Sequence, residues 1–407
     1  MGLRWGAGVS VSLGFALALV ACGDDHPPAA DGDNGEGGIL PGTGTTRPDG
    51  GDASADGAAG RVAKQVVVGK HHACALTTAG AVYCWGDNAK DQLATADIDD
   101  RAEPGLVDVP VASALTAGSD HTCALAGTDV WCWGDNAVGQ LGNGTKSATP
   151  VPVKSHANVA SVTAGDQTTC VVTTTGAAYC WGHNSLGQVG DGSQVDRPSP
   201  TAVTGLGANI ASISPGGDHT CAVTTAGGVS CWGDNTNGAL GNGTQTSSLT
   251  YVVSELETDV AALASGIAFS CARMTDGSAQ CWGYGGKGAL GGGVADTFED
   301  PQPVPALAAI TSLAAGTTHV CAVASAKVSC WGDNTYGQIG NGTTDGNVLS
   351  PSAVAVTDPA SVAAGGFTCA VTKAGAVMCW GSDNDYGELG DGTLTPRATP
   401  APVVSFP

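Results

Sequence analysis

Residues 121–136, HTCALAGTDVWCWGDN, gather a histidine, two cysteines, two tryptophans and two acids within sixteen positions. Two residues apart on a strand, His121 and Cys123 point to the same side, which is ligand spacing for zinc; two nearby thiols also make a redox pair or a disulfide. The same constellation returns along the chain. Apart from Cys22 there are fourteen cysteines, two per copy: Cys74 with Cys84, Cys123 with Cys132, Cys170 with Cys180, Cys221 with Cys231, Cys271 with Cys281, Cys321 with Cys330, and Cys369 with Cys379. His72, His121, His219 and His319 precede the first cysteine of their pairs, but Thr168, Phe269 and Phe367 stand there in the other copies, and both cysteines remain. The histidine is therefore dispensable to whatever the pair does, and Cys-x-x-Cys, the redox signature, is absent. An even, regularly placed set in an exported chain reads as seven disulfides, with no metal and no cofactor expected.

The elements that must position such pairs follow from their spacing. Five pairs are ten residues apart, with turns such as TTAGA; two are nine apart, with Gly127-Thr128 or Ser325-Ala326 at the centre. If the cysteines sit directly opposite on a β-hairpin, nine leaves a two-residue loop and ten a three-residue loop with one left-handed residue. Loop length changes while the cross-strand register stays fixed. Directly opposed Cα atoms in a non-hydrogen-bonded pair lie about 4.5 Å apart, at the short end of what a disulfide accepts. Each bridge closes a loop of roughly 11 residues, worth about 2 to 3 kcal/mol in the chain-entropy picture.

Trp-Gly recurs at Trp85, Trp133, Trp181, Trp232, Trp282, Trp331 and Trp380, at intervals of 48 to 51 residues. Each unit reads as a Pro-Val segment, an Ala/Val/Ser run ending in Ala-Gly, HTCAL, a turn, VYCWG and DNxxGQLGNGT. Short runs bounded by Gly, Asn and Pro are strand signals, and no helical period intervenes. Four strands per unit of about 50 residues suit a propeller blade. The recurring AG-x-x-H-T-C-A-L…V-x-C-W-G-x-N-x-x-G-Q-L-G-N-G-T resembles the repeat of the regulator of chromosome condensation family. That resemblance spans residues 62–407 and implies an all-β, seven-bladed β-propeller. Three copies depart from the pattern: the first has KDQLATADIDDRAEP in place of the glycine loop, the fifth has Tyr284-Gly285 in place of Asp-Asn, and the seventh inserts a residue at WGSDN. The first unit lacks a preceding Pro-Val strand and the chain ends in ATPAPVVSFP, so the segment around Val403 and Val404 is expected to pair with the first blade and close the ring.

Residues 1–21 carry Arg4, a short apolar core and Leu19-Val20-Ala21 before Cys22. This resembles a bacterial lipoprotein signal, in which Cys22 becomes the lipidated N-terminus; the apolar core is shorter than the roughly 20 residues a span requires. Residues 22–60 are rich in Gly, Asp, Ala and Pro and read as an acidic linker. An exported lipoprotein of the outer membrane or cell surface, monomeric and membrane-bound only through its lipid, is the expectation. The chain carries a net charge of −22, and residues 61–407 keep 29 acids against 13 basic residues. Phosphate backbones are repelled by such a surface, which excludes nucleic acid as a natural partner and favours basic proteins or cations.

The repeated aromatic and polar residues have scaffold roles first. The seven tryptophans are expected between adjacent blades, with Trp131 peculiar to the second; Asp-Asn after Trp-Gly and the Asn-Gly-Thr triplets are expected to bond their own turns rather than calcium. No nucleophile elbow, phosphate loop or HExxH is present. Carboxylates cluster at Asp97, Asp99, Asp100 and Glu103, at Glu255, Glu257 and Asp259, and at Glu299 and Asp300. Two such loops could form a glycosidase-like pair, so an extracellular enzyme acting on polysaccharide or peptide is the alternative. The family resemblance implies a binding propeller: one member exchanges guanine nucleotide on a small GTPase at chromatin, a role that export and acidity argue against, and a secreted member binds an enzyme through one propeller face. By that analogy Arg101, Tyr251, Phe298 and Tyr336 are the expected anchors of a protein partner, without catalysis.

Overall fold

A computed structural model describes residues 62–95, 97–404 and 406; the lipoprotein signal, Cys22 and the linker lie outside that range. Every regular element among the described residues is a strand, and the strands form seven four-stranded antiparallel sheets. In the first blade the strands Ala63–Val68, His72–Thr77, Val82–Gly86 and Arg101–Val107 pair in chain order. The first strands stand around a central channel, each beside the next, and that of the seventh blade (Pro359–Ala364) lies against that of the first. The seven-bladed propeller expected from the repeats is the fold.

Burial explains the residue choice on each strand. All six residues of His72–Thr77 are buried, because this strand has another blade against each face; a strand covered on both sides reads as a continuous apolar run rather than an alternation. Ala63–Val68 alternates between buried and accessible positions, because one of its sides faces the channel. Seven hydrophobic clusters fill the seams, each drawn from two blades. In one of them Cys123, Cys132 and Leu141 of the second blade meet Val162, Val171 and Trp181 of the third. The disulfide thus faces the next blade, and the tryptophan faces the preceding one.

The cysteines stand directly opposite one another on the second and third strands of every blade. Cys74 faces Cys84 and Cys123 faces Cys132. Cys170 faces Cys180, Cys221 faces Cys231, Cys271 faces Cys281, Cys321 faces Cys330 and Cys369 faces Cys379. All seven pairs are disulfides, with Cα atoms 4.1 to 4.2 Å apart. The turns obey the loop-length argument. Gly80 supplies the left-handed residue of a ten-spaced hairpin at φ 85°. In the nine-spaced sixth blade both loop residues, Ser325 and Ala326, adopt positive φ, at 49° and 60°. A two-residue turn matching the strand twist requires that of both positions, even at some steric cost to a non-glycine residue.

Ring closure differs from the expectation. Each Pro-Val segment pairs backwards onto the Cys-Trp-Gly strand of its own repeat, as Arg101 does with Gly86, so every blade is completed within one repeat. Accordingly the C-terminal strand Ala401–Pro402 pairs with Val377–Trp380 in the seventh blade, not with the first. The tail reaches the first blade by side chains instead: Phe406 is buried and stacks on Tyr83 with ring centroids 5.2 Å apart. The strand pattern alone left the blade phase open; antiparallel pairing with the nearest free edge decided it.

Candidate binding face

One end of the propeller carries two loops from every blade: the short Gly-x-x turn entering the second strand, and the long glycine loop after Trp-Gly. The hairpin turns occupy the other end. The glycine loops are folded by their own polar side chains. Asn136, fully buried, donates through Nδ2 to the carbonyls of Thr145 and Ser147 at 3.1 and 2.9 Å and accepts the Leu141 amide at 3.0 Å through Oδ1. Asn88, Asn184, Asn235, Asn334 and Asn384 repeat the clamp. Where the fifth copy has Gly285, a Cβ would collide with the Asp296 carbonyl, so the chain itself closes into the space the asparagine fills elsewhere. Gln140 accepts the Val138 amide and donates to Asp135 at 3.1 Å each. Asn143 and Asp191 receive the hydroxyl and amide of Thr145 and Ser193, as turn chemistry requires.

Each loop is also held by the next blade. Every repeat tryptophan is fully buried and donates its indole N–H to a loop carbonyl of the preceding blade, as Trp181 does to Gln140 at 2.9 Å and Trp85 to Glu388 at 2.8 Å. The close approach demands glycine: a Cβ on Gly142, at φ 69°, would stand 2.5 Å from Trp181 Nε1.

The histidines belong to the same seams. His121 Nε2 lies 2.8 Å from Thr169 Oγ1, whose own proton goes to the Gln140 carbonyl. The imidazole must therefore donate from Nε2, which leaves Nδ1 bare; Nδ1 of His121 and of His72 has no partner. His319 meets Thr368 in the same way, at 2.7 Å, and His219 lies 2.7 Å from Ser270. Burial pushes His121, His219 and His319 down to about 4 and His72 to about 3. All four are buried hydrogen-bonding groups of the seams.

The face around the channel mouth is acidic. Asp87, Asp135, Asp234 and Asp333 follow Trp-Gly, and Asp120, Asp166 and Asp218 stand in the Gly-x-x turns. Burial raises Asp120, partly opposed by Lys90, whose ammonium sits 3.9 Å from Asp120 and 3.4 Å from Asp135. Burial likewise raises Asp218. Among these acids stand the exposed apolar residues Leu186, Tyr284, Tyr336 and Tyr386 of the loop tips.

The expected anchors do not converge. Arg101 opens the outer strand of the first blade and lies 3.6 Å from Asp97; Tyr251 is on the outer strand of the fourth. Phe298, on the fifth, packs against the core between the fifth and sixth blades. Of the four, Tyr336, 54% exposed, borders a cavity together with His71, Asp333 and Asp383. The carboxylate clusters meet in part: Glu255 and Glu299 both border Gly243 of the fourth loop, and the rest stand apart. Asp100 caps the Asn88 amide in the first loop and Glu299 accepts from Gln245, whereas Glu257 and Asp259 lie against the hairpin turn at Gly227-Gly228, at the opposite end of a blade. Trp131 is half-buried on its strand beside Ala124 and Lys154. The sequence reading missed His71, Asp383 and Glu388. Glu388 stands in the Gln position of the sister loops, a signal visible in the alignment of the repeats.

Comparison with known proteins agrees with this architecture. Two signatures of the Regulator of chromosome condensation (RCC1) repeat match, one at residues 79–125, 129–172, 175–223 and 327–371, the other at 63–92, 112–140, 159–188, 210–239 and 310–338. Among curated proteins no sequence matches. Among solved structures, Prp20p of Saccharomyces cerevisiae is 22% identical with a TM-score of 0.72, covering 81% of this chain and 87% of its own. Human WBSCR16 is 21% identical with a TM-score of 0.70, covering 80% and 94%. At that identity the structures speak for the fold alone; the repeat signatures, which together take in more than half of the chain, speak for descent. The chain belongs to the regulator of chromosome condensation repeat family.

Proposed function

We propose that the protein is an exported binding scaffold, tethered by lipid at Cys22, that holds a protein partner on its glycine-loop face. The observation that carries this reading is the rigidity of that face: every loop but the fifth is clamped internally by an asparagine, and each is pinned by a tryptophan of the neighbouring blade. Loops held in place before contact lose little entropy on binding. Seven disulfides suit an oxidising compartment. The acid-rich face, with Tyr336, Tyr386 and Leu186 exposed among the carboxylates, fits a basic protein surface with apolar side chains at its centre. The Saccharomyces cerevisiae relative is described with its binding to Gsp1p and histones, so a propeller of this fold can meet protein partners. Arg101, Tyr251 and Phe298 stay candidates for a rim contact along the outer strands. Export and acidity disfavour nucleotide exchange at chromatin.

The test is capture of envelope proteins by the purified chain and by Tyr336→Ala and Leu186→Ala variants. A stoichiometric complex that weakens with salt and is lost in the variants is expected. Turnover of a glycan or peptide without a stable complex would overturn the proposal.

A further inference from the structure

The seam between the seventh and first blades differs from the seam between the third and fourth. In the third loop Gln188 donates its amide to Asp218 of the fourth blade at 3.0 Å, a neutral donor meeting an acid. At the closing seam the polarity is reversed. The loop residue is Glu388, fully buried, and the residue facing it from the first blade is His71. The inserted residue of the seventh repeat brings a second acid, Asp383, beside them through the turn Gly381-Ser382-Asp383-Asn384. One ligand-type atom from each of His71, Asp383 and Glu388 lies within 4.8 Å of the others. His71 and Glu388 are departures from the repeat; Asp383 and Glu388 come from the glycine loop of the seventh blade and His71 from the Gly-x-x turn of the first.

From these residues we infer a binding site for a single divalent transition-metal cation of the zinc class, held by His71 Nδ1, Asp383 and Glu388 Oε1. Three arguments carry it. First, two carboxylates held this close repel each other, and Ser382, which donates towards both at 2.9 and 3.3 Å, supplies only one proton; a cation between them removes the conflict. Second, the His71–Glu388 pair has the spacing the ion requires, with a ligand atom of Asp383 within 4.8 Å of both. Metal–ligand bonds of about 2.0 to 2.1 Å at a tetrahedral angle separate neighbouring ligand atoms by about 3.3 Å, and His71 Nδ1 stands 3.3 Å from Glu388 Oε1. Third, the cluster is supported and open. Glu388 Oε2 accepts the Tyr386 amide at 3.1 Å, which fixes the carboxylate, and the Tyr386 ring packs beside the imidazole with centroids 5.2 Å apart. On the other side His71, Ser382 and Asp383 border a cavity of about 380 Å³ that also touches Lys70, Asp333 and Tyr336. The ion can enter there and keep an open coordination position. One imidazole with two carboxylates selects zinc, manganese or cobalt over calcium and magnesium, which prefer oxygen alone. The neighbouring Lys70 opposes a cation, but Asp333 and Asp383 on the same cavity favour one.

Equilibrium dialysis of the chelator-treated full chain against zinc, with metal counted per chain, tests the site, and the visible bands of cobalt(II) report its ligand geometry. The expected result is one zinc per chain in the unmodified protein, with affinity at least tenfold weaker in Glu388→Gln and in Asp383→Asn and the cobalt bands lost in both. Gln occupies the same place in four sister loops, so Glu388→Gln is expected to keep the fold, checked by its melting temperature; should it fail to fold, Asp383→Asn at its half-buried position decides alone. No retained zinc, equal retention by both variants, or a melting temperature lowered in Glu388→Gln with zinc without effect on the unmodified protein would each overturn the inference, the last leaving an interblade ion pair only.

Discussion

Acid should loosen the seams through their buried histidines, and His219 offers the cleanest measurement. Its ring is fully buried in the seam between the fourth and fifth blades, hydrogen-bonded to Ser270. Burial drives its pKa down to about 4, a shift only partly opposed by Asp234 and the Ile267 carbonyl. The ring is therefore neutral in the fold, whereas the unfolded chain takes up a proton near 6.5. The unfolded state binds more protons, so stability falls with pH from about 6.5 and levels off below about 4. With those two values, one such imidazole removes about 2 kcal/mol between pH 7.5 and pH 5. The control is His219→Phe, because Phe269 and Phe367 fill the equivalent places in the fifth and seventh blades. The variant forfeits the Ser270 hydrogen bond at every pH but has nothing to protonate. Urea unfolding with the disulfides intact, at both pH values, should give the unmodified protein a drop larger than the variant's by about 2 kcal/mol. Equal drops in the two proteins would refute the argument that this ring is held neutral by burial.

Three further outcomes follow from the seams and hairpins. Asn136→Ala strips two loop carbonyls and one amide of their partner, so the second loop should become a protease site and stability should fall by about 2 to 4 kcal/mol, measured by urea unfolding and limited proteolysis. Deleting residues 399–407 uncovers the third strand of the seventh blade and removes Phe406 from Tyr83; the melting temperature should fall sharply, and an unchanged melting curve would count against the tail's closing role. Under denaturing conditions the chain through residues 62–407 should show no reactive thiol before reduction and fourteen after it, read by mass after alkylation.

What could be read in advance and what could not divides along the repeat. Seven copies of one hairpin carry their own controls: a histidine replaced by Phe269 without loss of Cys271 and Cys281 cannot be the shared ligand of such pairs, and a turn one residue shorter at Gly127-Thr128 preserves the register only if the cysteines face each other. Blade phase escaped the same logic, because a Pro-Val strand lying between two Cys-Trp-Gly hairpins fits either in sequence; only the free edge beside Cys84 and its counterparts settles which one it joins. The anchors chosen for being aromatic or charged on irregular stretches scattered, since outer strands carry such residues at the rim as readily as at a face. Glu388 was hidden by its resemblance to Gln, one atom's difference inside a loop that otherwise keeps the repeat. Its meaning comes from His71, more than three hundred residues earlier, and no local pattern joins the two.

The indole bonds between blades also bear on how such a surface can diversify. The residues that keep a glycine loop in shape are its own asparagine and a tryptophan in the adjacent repeat, and neither stands at the loop tip. Val138, Leu186, Lys287 and Tyr336 occupy equivalent tip positions on loops of one backbone design. Tip residues can therefore drift independently of one another while the scaffold stays under separate constraint, so a lineage can exchange one partner for another by point changes at the tips without first rebuilding the ring.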